Sequence, residues 1–244
     1  YAQIQREGLV LFLSFVKGSG TTAQDMSGNG NDATLVDAQW VKGKYGYGIY
    51  LDGVKGYIEI PNVLEEEGTI EFWFKPDWDG ADKEDYRLFD ASTGDKYFFI
   101  SKGANHQDIN PEDFGFYLED GTDADWQEVE FDPKGVIKKG EWFHVAVTWK
   151  FNGGVPALYI NGELMADSKR KLGPMPTLHE KPRFGLETIK YVPMRNGAKG
   201  VIDEILIYNR ALSEDEIVKD MELTATAVGP RGKLPVIWGE LKRR

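Results

Sequence analysis

The 244-residue sequence contains no cysteine, which excludes disulfides, thiolate metal sites and cysteine nucleophiles. Its three histidines, His106, His144 and His179, are dispersed and have no spacing suited to a zinc site. Positive charge is in short supply: 29 Lys and Arg stand against 40 Asp and Glu, a net charge of −11. That balance argues against a nucleic-acid backbone as partner. No apolar run approaches the roughly 20 residues needed to cross a bilayer, so no membrane span is expected. Also lacking are a Gly-rich phosphate cradle, a serine in a nucleophile elbow, an internal repeat and a low-complexity tract.

What is present suits a large β domain. Hydrophobic residues make up 41% and aromatics 13% of the chain, ample for one sizeable core. The closing stretch Gly200–Leu212 is apolar on both faces and reads as a strand buried from two sides. Simple alternation places Val201, Ile205 and Ile207 on one face and Ile202, Leu206 and Tyr208 on the other. Asp203 and Glu204 interrupt it. Ser213 and Glu216 then form a capping box, with Leu212 and Ile217 as the hydrophobic staple of a short helix.

Similar apolar segments recur along the chain. Leu9–Phe15, Gly68–Lys75 and Glu141–Lys150 read as long strands, and Asn161-Gly162 marks a hairpin with a two-residue type I′ turn. About thirteen or fourteen strands at intervals of roughly 8–12 residues, without alternating helices, predict an all-β, two-sheet antiparallel sandwich. The domain is expected to span 1–222, followed by a basic tail over 223–244. Between Asp77 and Asp132 there are 17 acidic residues and only four Lys or Arg. Aromatic strands run through this region, so it reads as hairpins with acidic loops. Trp78, Tyr86 and Trp126 lie in or beside those loops and are the candidate sugar-stacking residues. Trp73, Trp142 and Trp149 fall on strands and read as core.

Several motifs together resemble one family. They are Leu13-Ser-Phe15, Asp25-x-Ser-Gly-Asn-Gly-Asn31, Leu51-Asp-Gly53, Thr69-Ile-Glu-Phe-Trp-Phe-Lys-Pro76, Leu158-Tyr-Ile-Asn-Gly162 and Ile202-Asp-Glu-Ile-Leu-Ile-Tyr-Asn-Arg-Ala-Leu-Ser213. In this order, over residues 8 to about 221, the chain is similar to laminin-G-like jelly-roll domains of the concanavalin A-like lectin/glucanase superfamily. The resemblance implies a concanavalin A-like jelly roll with one short C-terminal helix. It also implies a structural calcium ion tying the closing strand to early loops, with Asp203, Asp25 and Asp52 as the matching positions. The alternative is that Asp25 and Asp52 cap turns while Asp203 pairs with Arg210 or Lys199. A carboxylate-dense stretch, Asp77–Asp85, lacks the order of an EF-hand loop and reads as solvated.

Glycosidases on this fold carry a Glu-x-Asp-x-Glu or Glu-x-Asp-x-x-Glu strand, which places nucleophile and acid on one face. Neither pattern occurs; Glu128-Val-Glu130 is only an acidic pair in a hairpin. The leading expectation is therefore a non-catalytic recognition module of an exported bacterial protein, secreted or at the cell surface, binding a carbohydrate or cell-surface glycan. Tyr1-Ala-Gln is read as the start of a processed chain. A polysaccharide-acting hydrolase or lyase with an unfamiliar site and a structural or adhesive spacer are the alternatives.

Overall fold

A computed structural model describes residues 7–94, 96–103, 112–122, 126–189 and 197–227. Sixteen strands and one helix form among them. The strands are β1 (Leu9–Leu13), β2 (Thr22–Ala23), β3 (Ala33–Val36), β4 (Gln39–Lys42), β5 (Tyr47–Asp52), β6 (Tyr57–Glu59), β7 (Glu67–Pro76) and β8 (Tyr86–Asp90). They continue as β9 (Phe98–Lys102), β10 (Phe114–Leu118), β11 (Gln127–Phe131), β12 (Phe143–Lys150), β13 (Ala157–Ile160), β14 (Glu163–Asp167), β15 (Arg183–Phe184) and β16 (Lys199–Tyr208). The helix, α1, covers Glu214–Ala227 and so runs past the domain boundary expected at residue 222.

The strands form two eight-stranded antiparallel sheets packed face to face. The first has the order β14-β13-β12-β7-β16-β5-β4, with β1 also paired to β16; the second has the order β11-β10-β9-β8-β15-β6-β3-β2. Alternate residues of each sheet meet in one core. Phe72, Phe74, Val145, Val147, Trp149, Ile205 and Ile207 come from the first sheet; Phe89, Phe98, Ile100, Phe114, Phe116 and Phe184 come from the second. Each such side chain stabilises the fold by about 1.5–3 kcal/mol through burial. Aromatic edges interlock across the interface, with Phe72 and Phe184 centroids 5.7 Å apart and Phe98 and Trp149 5.1 Å apart.

β16 sits beside β7, β5 and β1, with one face in the core and the other packed against Leu212 and Ile217, which is why it is apolar on both faces. A bulge at Asp203–Glu204, where Glu204 has φ +51°, breaks the simple alternation. Ile202, Ile205 and Ile207 face the core, while Leu206 and Tyr208 face outward. The even alternation expected from sequence therefore fails for Ile202, because one inserted residue resets the pleat. Half of the capping box forms, since Ser213 Oγ donates to the Glu216 carboxylate at 3.0 Å and the Glu216 amide donates to the Ser213 carbonyl. Glu216 Oε2 accepts from the Ser213 amide at 2.9 Å, and Leu212 and Ile217 are buried in one cluster. Asn161 and Gly162 have φ +53° and +83°, the two positive values that a type I′ turn requires.

Candidate functional site

The three aspartates expected to share a cation are held apart by separate sets of hydrogen bonds. Asp25 accepts from the amides of Phe12, Ser27 and Asn31 at 2.8–3.0 Å and from Ser27 Oγ at 2.8 Å. Burial works to raise its pKa, but these donors outweigh it and hold the carboxyl below the usual range. One Asp52 oxygen accepts from the amides of Val54, Lys55 and Gly56 at 2.9–3.0 Å. Asp203 Oδ2 accepts from Lys44 and Tyr45, and its Oδ1 from the Glu204 amide at 2.9 Å. Gly43 permits that approach, since a Cβ there would lie 2.5 Å from Asp203 Oδ2.

Asp203 neighbours neither of the partners expected for it, because Arg210 binds Glu216 at 2.9 Å and Lys199 stands opposite Asp52. Among the described residues no group of three or more His, Asp or Glu could hold a metal ion. Asp25, Asp52 and Asp203 are thus not gathered into one group of carboxylates. Their carboxylates tie early turns to the framework through amides instead. The acidic loop is likewise organised by its own turns: Asp79 and Asp82 accept from the amides two residues on, and buried Lys102 Nζ donates to the Asp82 and Glu84 carbonyls.

Two of the three sugar-stacking candidates are interior. Trp78 and Tyr86 are 2% and 7% exposed and stack on each other at 4.9 Å, with 9° between planes. Their acidic sequence neighbours form the outside of the loop, while the rings fill the end of the core beside Phe74. Neither presents a face to a ligand. Trp126 is different. It is half-buried and lies outside the second sheet, 5.8 Å from Tyr97 and 6.2 Å from Tyr117 between centroids. Tyr117 stacks on Phe99 at 4.9 Å. These four rings form a cluster separate from the main core, with Phe99 and Tyr117 as a buried floor and Tyr97 and Trp126 half-buried above it.

Strand register explains the grouping. Glu128, Tyr117, Phe99, Asp90, Arg183, Glu59 and Thr34 stand opposite one another across seven strands, from β11 to β3. Cross-strand partners share a face, and Phe98, Ile100, Phe114 and Phe116 occupy the inner one. This row is therefore the outward surface. In its middle, Arg87 lies over the Phe99 ring at 3.4 Å and pairs with Asp90 and Glu187 at 3.3 and 3.4 Å. Thr188 Oγ1 is 2.6 Å from Asp90 Oδ1. Segment 187–188 thereby closes the centre, and the half-buried rings mark the accessible end.

Three carboxylates border that end. Glu119 Oε2 accepts from the Tyr97 amide at 2.8 Å, Glu130 Oε2 accepts from Tyr117 Oη at 2.9 Å, and Glu128 faces Tyr117 across the strand pair. Burial pushes Glu130 above the usual carboxylate range; the Tyr117 hydroxyl opposes this, while Glu128 and Asp113 add to it. Sequence reasoning placed Glu128 and Glu130 in a hairpin without connecting them to aromatic rings. It also left Tyr97, Phe99 and Tyr117 out of the site. The signal was available in the alternation Tyr97-Phe98-Phe99-Ile100, where inner and outer positions are both aromatic.

The outward face of the first sheet is closed differently. α1 packs Ile217 against Ala146, Leu206, Tyr208 and Leu212, and Tyr208 Oη donates to Asp220. Glu71 and His144 are fully buried there, with Nε2 and Oε2 3.4 Å apart. Burial, reinforced by Asp220 and Glu216, raises Glu71 well above its ordinary value. Burial, with help from Lys44, pushes His144 down to about 3. His144 is therefore neutral at pH 7, and both side chains are packed in the interior. His179 sits in a turn against the Lys181 amide, and His106 lies outside the described residues.

A family model described as the concanavalin A-like lectin/glucanases superfamily matches residues 52–218. No curated protein matches the chain. Among solved structures it is similar to the botulinum neurotoxin serotype D binding domain, at 18% identity and a TM-score of 0.67, over 91% of this chain and 52% of that one. The neurotoxin DC binding domain in complex with rat synaptotagmin II gives 19% and 0.67, over 92% and 52%. Domain 4 of AbnA, a GH43 extracellular arabinanase from Geobacillus stearothermophilus in complex with arabinotriose, gives 20% and 0.64, over 86% and 96%. The chain spans about half the length of the neurotoxin binding domains. At these identities the likeness is one of fold.

Proposed function

The chain belongs to the concanavalin A-like lectin/glucanases superfamily, and on that basis we propose that it is a non-catalytic recognition module for a carbohydrate or cell-surface glycan. The observation that carries this reading is the outward ring cluster of Tyr97, Phe99, Tyr117 and Trp126 with carboxylates at its border. A half-buried indole held by neighbouring rings offers a rigid apolar surface to the face of a sugar, and carboxylates beside it accept from the sugar's hydroxyls. Export from a bacterial cell fits the named neighbours, two of them toxin binding domains and one a domain of an extracellular enzyme. Calcium has no part in the reading, because the matching aspartates are engaged by amides. In isothermal titration against neutral oligosaccharides, wild type should bind and Trp126→Ala should lose about tenfold or more in affinity. Trp142→Ala, next to the first sheet, should bind as wild type does. Equal binding by Trp126→Ala and wild type would remove the platform.

Hydrolysis is the second reading. Glu128 and Glu130 project from the same face of β11 beside the rings, and burial holds Glu130 in the direction a general acid needs. Oligosaccharide turnover that disappears in both Glu128→Gln and Glu130→Gln would establish it. Binding without turnover keeps the chain a recognition module.

A further inference from the structure

We infer that the ring cluster on the second sheet selects uncharged, hydroxyl-rich glycans and rejects those bearing carboxylate or sulfate groups. The inference rests on the reading that this face binds sugar and adds its charge preference. Glu119 and Glu130 are hydrogen-bonded directly to the residues that form the platform, and Glu128 stands opposite Tyr117. Asp113 is close enough to act on both Tyr117 and Glu130.

Three cations of this sheet are engaged elsewhere. Lys96 Nζ donates to the Thr122 carbonyl at 2.7 Å, Arg87 pairs with Asp90 and Glu187, and Arg183 pairs with Glu59 at 3.2 Å. An anionic sugar placed on Trp126 would meet several carboxylates at short range, in a half-buried setting where water screens poorly. An uncharged sugar avoids that repulsion and brings the donors that carboxylate oxygens lack. Rejection here comes from like charge placed beside an otherwise sequence-tolerant stacking surface.

The test is calorimetric titration of the purified chain with arabinotriose, xylotriose and trigalacturonate, each at low and high salt. At least one neutral triose should bind with an affinity that salt leaves nearly unchanged. Trigalacturonate should bind about tenfold more weakly or worse, and should gain as salt screens the carboxylates. Glu128→Gln should narrow the gap between neutral and acidic trioses. Trigalacturonate binding as tightly as the neutral trioses, or weakening with salt, would overturn the inference and leave sugar recognition standing. Binding that Trp126→Ala does not alter would overturn recognition at this face, and the charge preference with it.

Discussion

At the scale of single residues, the molecule depends on carboxylates used as hydrogen-bond acceptors. Asp25 holds a glycine-rich turn against β1 through three amides and a hydroxyl. Hydrogen bonds to a charged group contribute about 1.5–3 kcal/mol, and leaving the donors unpaired costs more than one such bond. Asp25→Ala should lower stability in urea unfolding by roughly 3–5 kcal/mol, by the same amount with calcium or with chelator. His144 supplies a pH dependence of definite sign. Its folded pKa of about 3 lies below the ordinary 6.5, so the unfolded chain binds more protons between those values. Stability should therefore fall as pH drops from 6.5 towards 3. Glu71, raised by burial, works in the opposite sense and withdraws stability as pH rises through its folded value. In His144→Gln the acid loss above pH 4 should flatten in thermal midpoints, while Asp25, titrating below 3.8, retains its own loss at lower pH. Trp78 and Trp126 show where sequence stops being informative. Both have acidic neighbours, and only the path of the loop around Phe74 turns one ring inward while the other rests on β9 and β10.

At the scale of elements, features decided by adjacent residues were legible and features decided by pairing were not. The staple and the Asn-Gly turn are each set by residues close in sequence and form as expected, and the Glu216 half of the capping box forms with them. β2, β3 and β4 lie outside the segments that read as strands. The β16 bulge was also invisible, because it answers to β7, whose sequence lies far away. Gly162 offers a direct check on the turn. With φ +83°, and Val218 Cγ2 at 2.7 Å from any added Cβ, Gly162→Ala should destabilise by about 1–2 kcal/mol. In a chain of this size that is a drop of about 2–8 °C in thermal midpoint. Asn161→Ala should cost less than Gly162→Ala in the same measurement, since asparagine is favoured but not required at its position.

For the whole molecule, the family motifs carried the fold, since they include the core strands β7, β13 and β16. The site was less legible because it is assembled across β9, β10 and the start of β11, and no stretch of sequence contains such a row. The calcium expectation followed matching positions, whereas the hydrogen bonds at Asp25, Asp52 and Asp203 show amides engaging those carboxylates. The thermal midpoint should accordingly be the same, within error, in calcium and in chelator; a rise of several degrees with calcium would restore a cation to one of them.

The place of β16 also bears on how the protein is made. β7 lies between β12 and β16 in the first sheet, yet β7 ends at Pro76 and β16 begins at Lys199. At ribosomal rates of about 5–20 residues per second, roughly 6–25 s separate the two strands' synthesis. For that interval one edge of β7 has no partner, and β5 and β1 wait for the same late arrival. The nascent chain is then an unfinished sheet with apolar, strand-forming edges open, the condition in which chains pair with one another. A fragment ending at residue 198 should consequently aggregate or remain protease-sensitive, and yield should depend on holdase chaperones that cover those edges until residue 208 emerges.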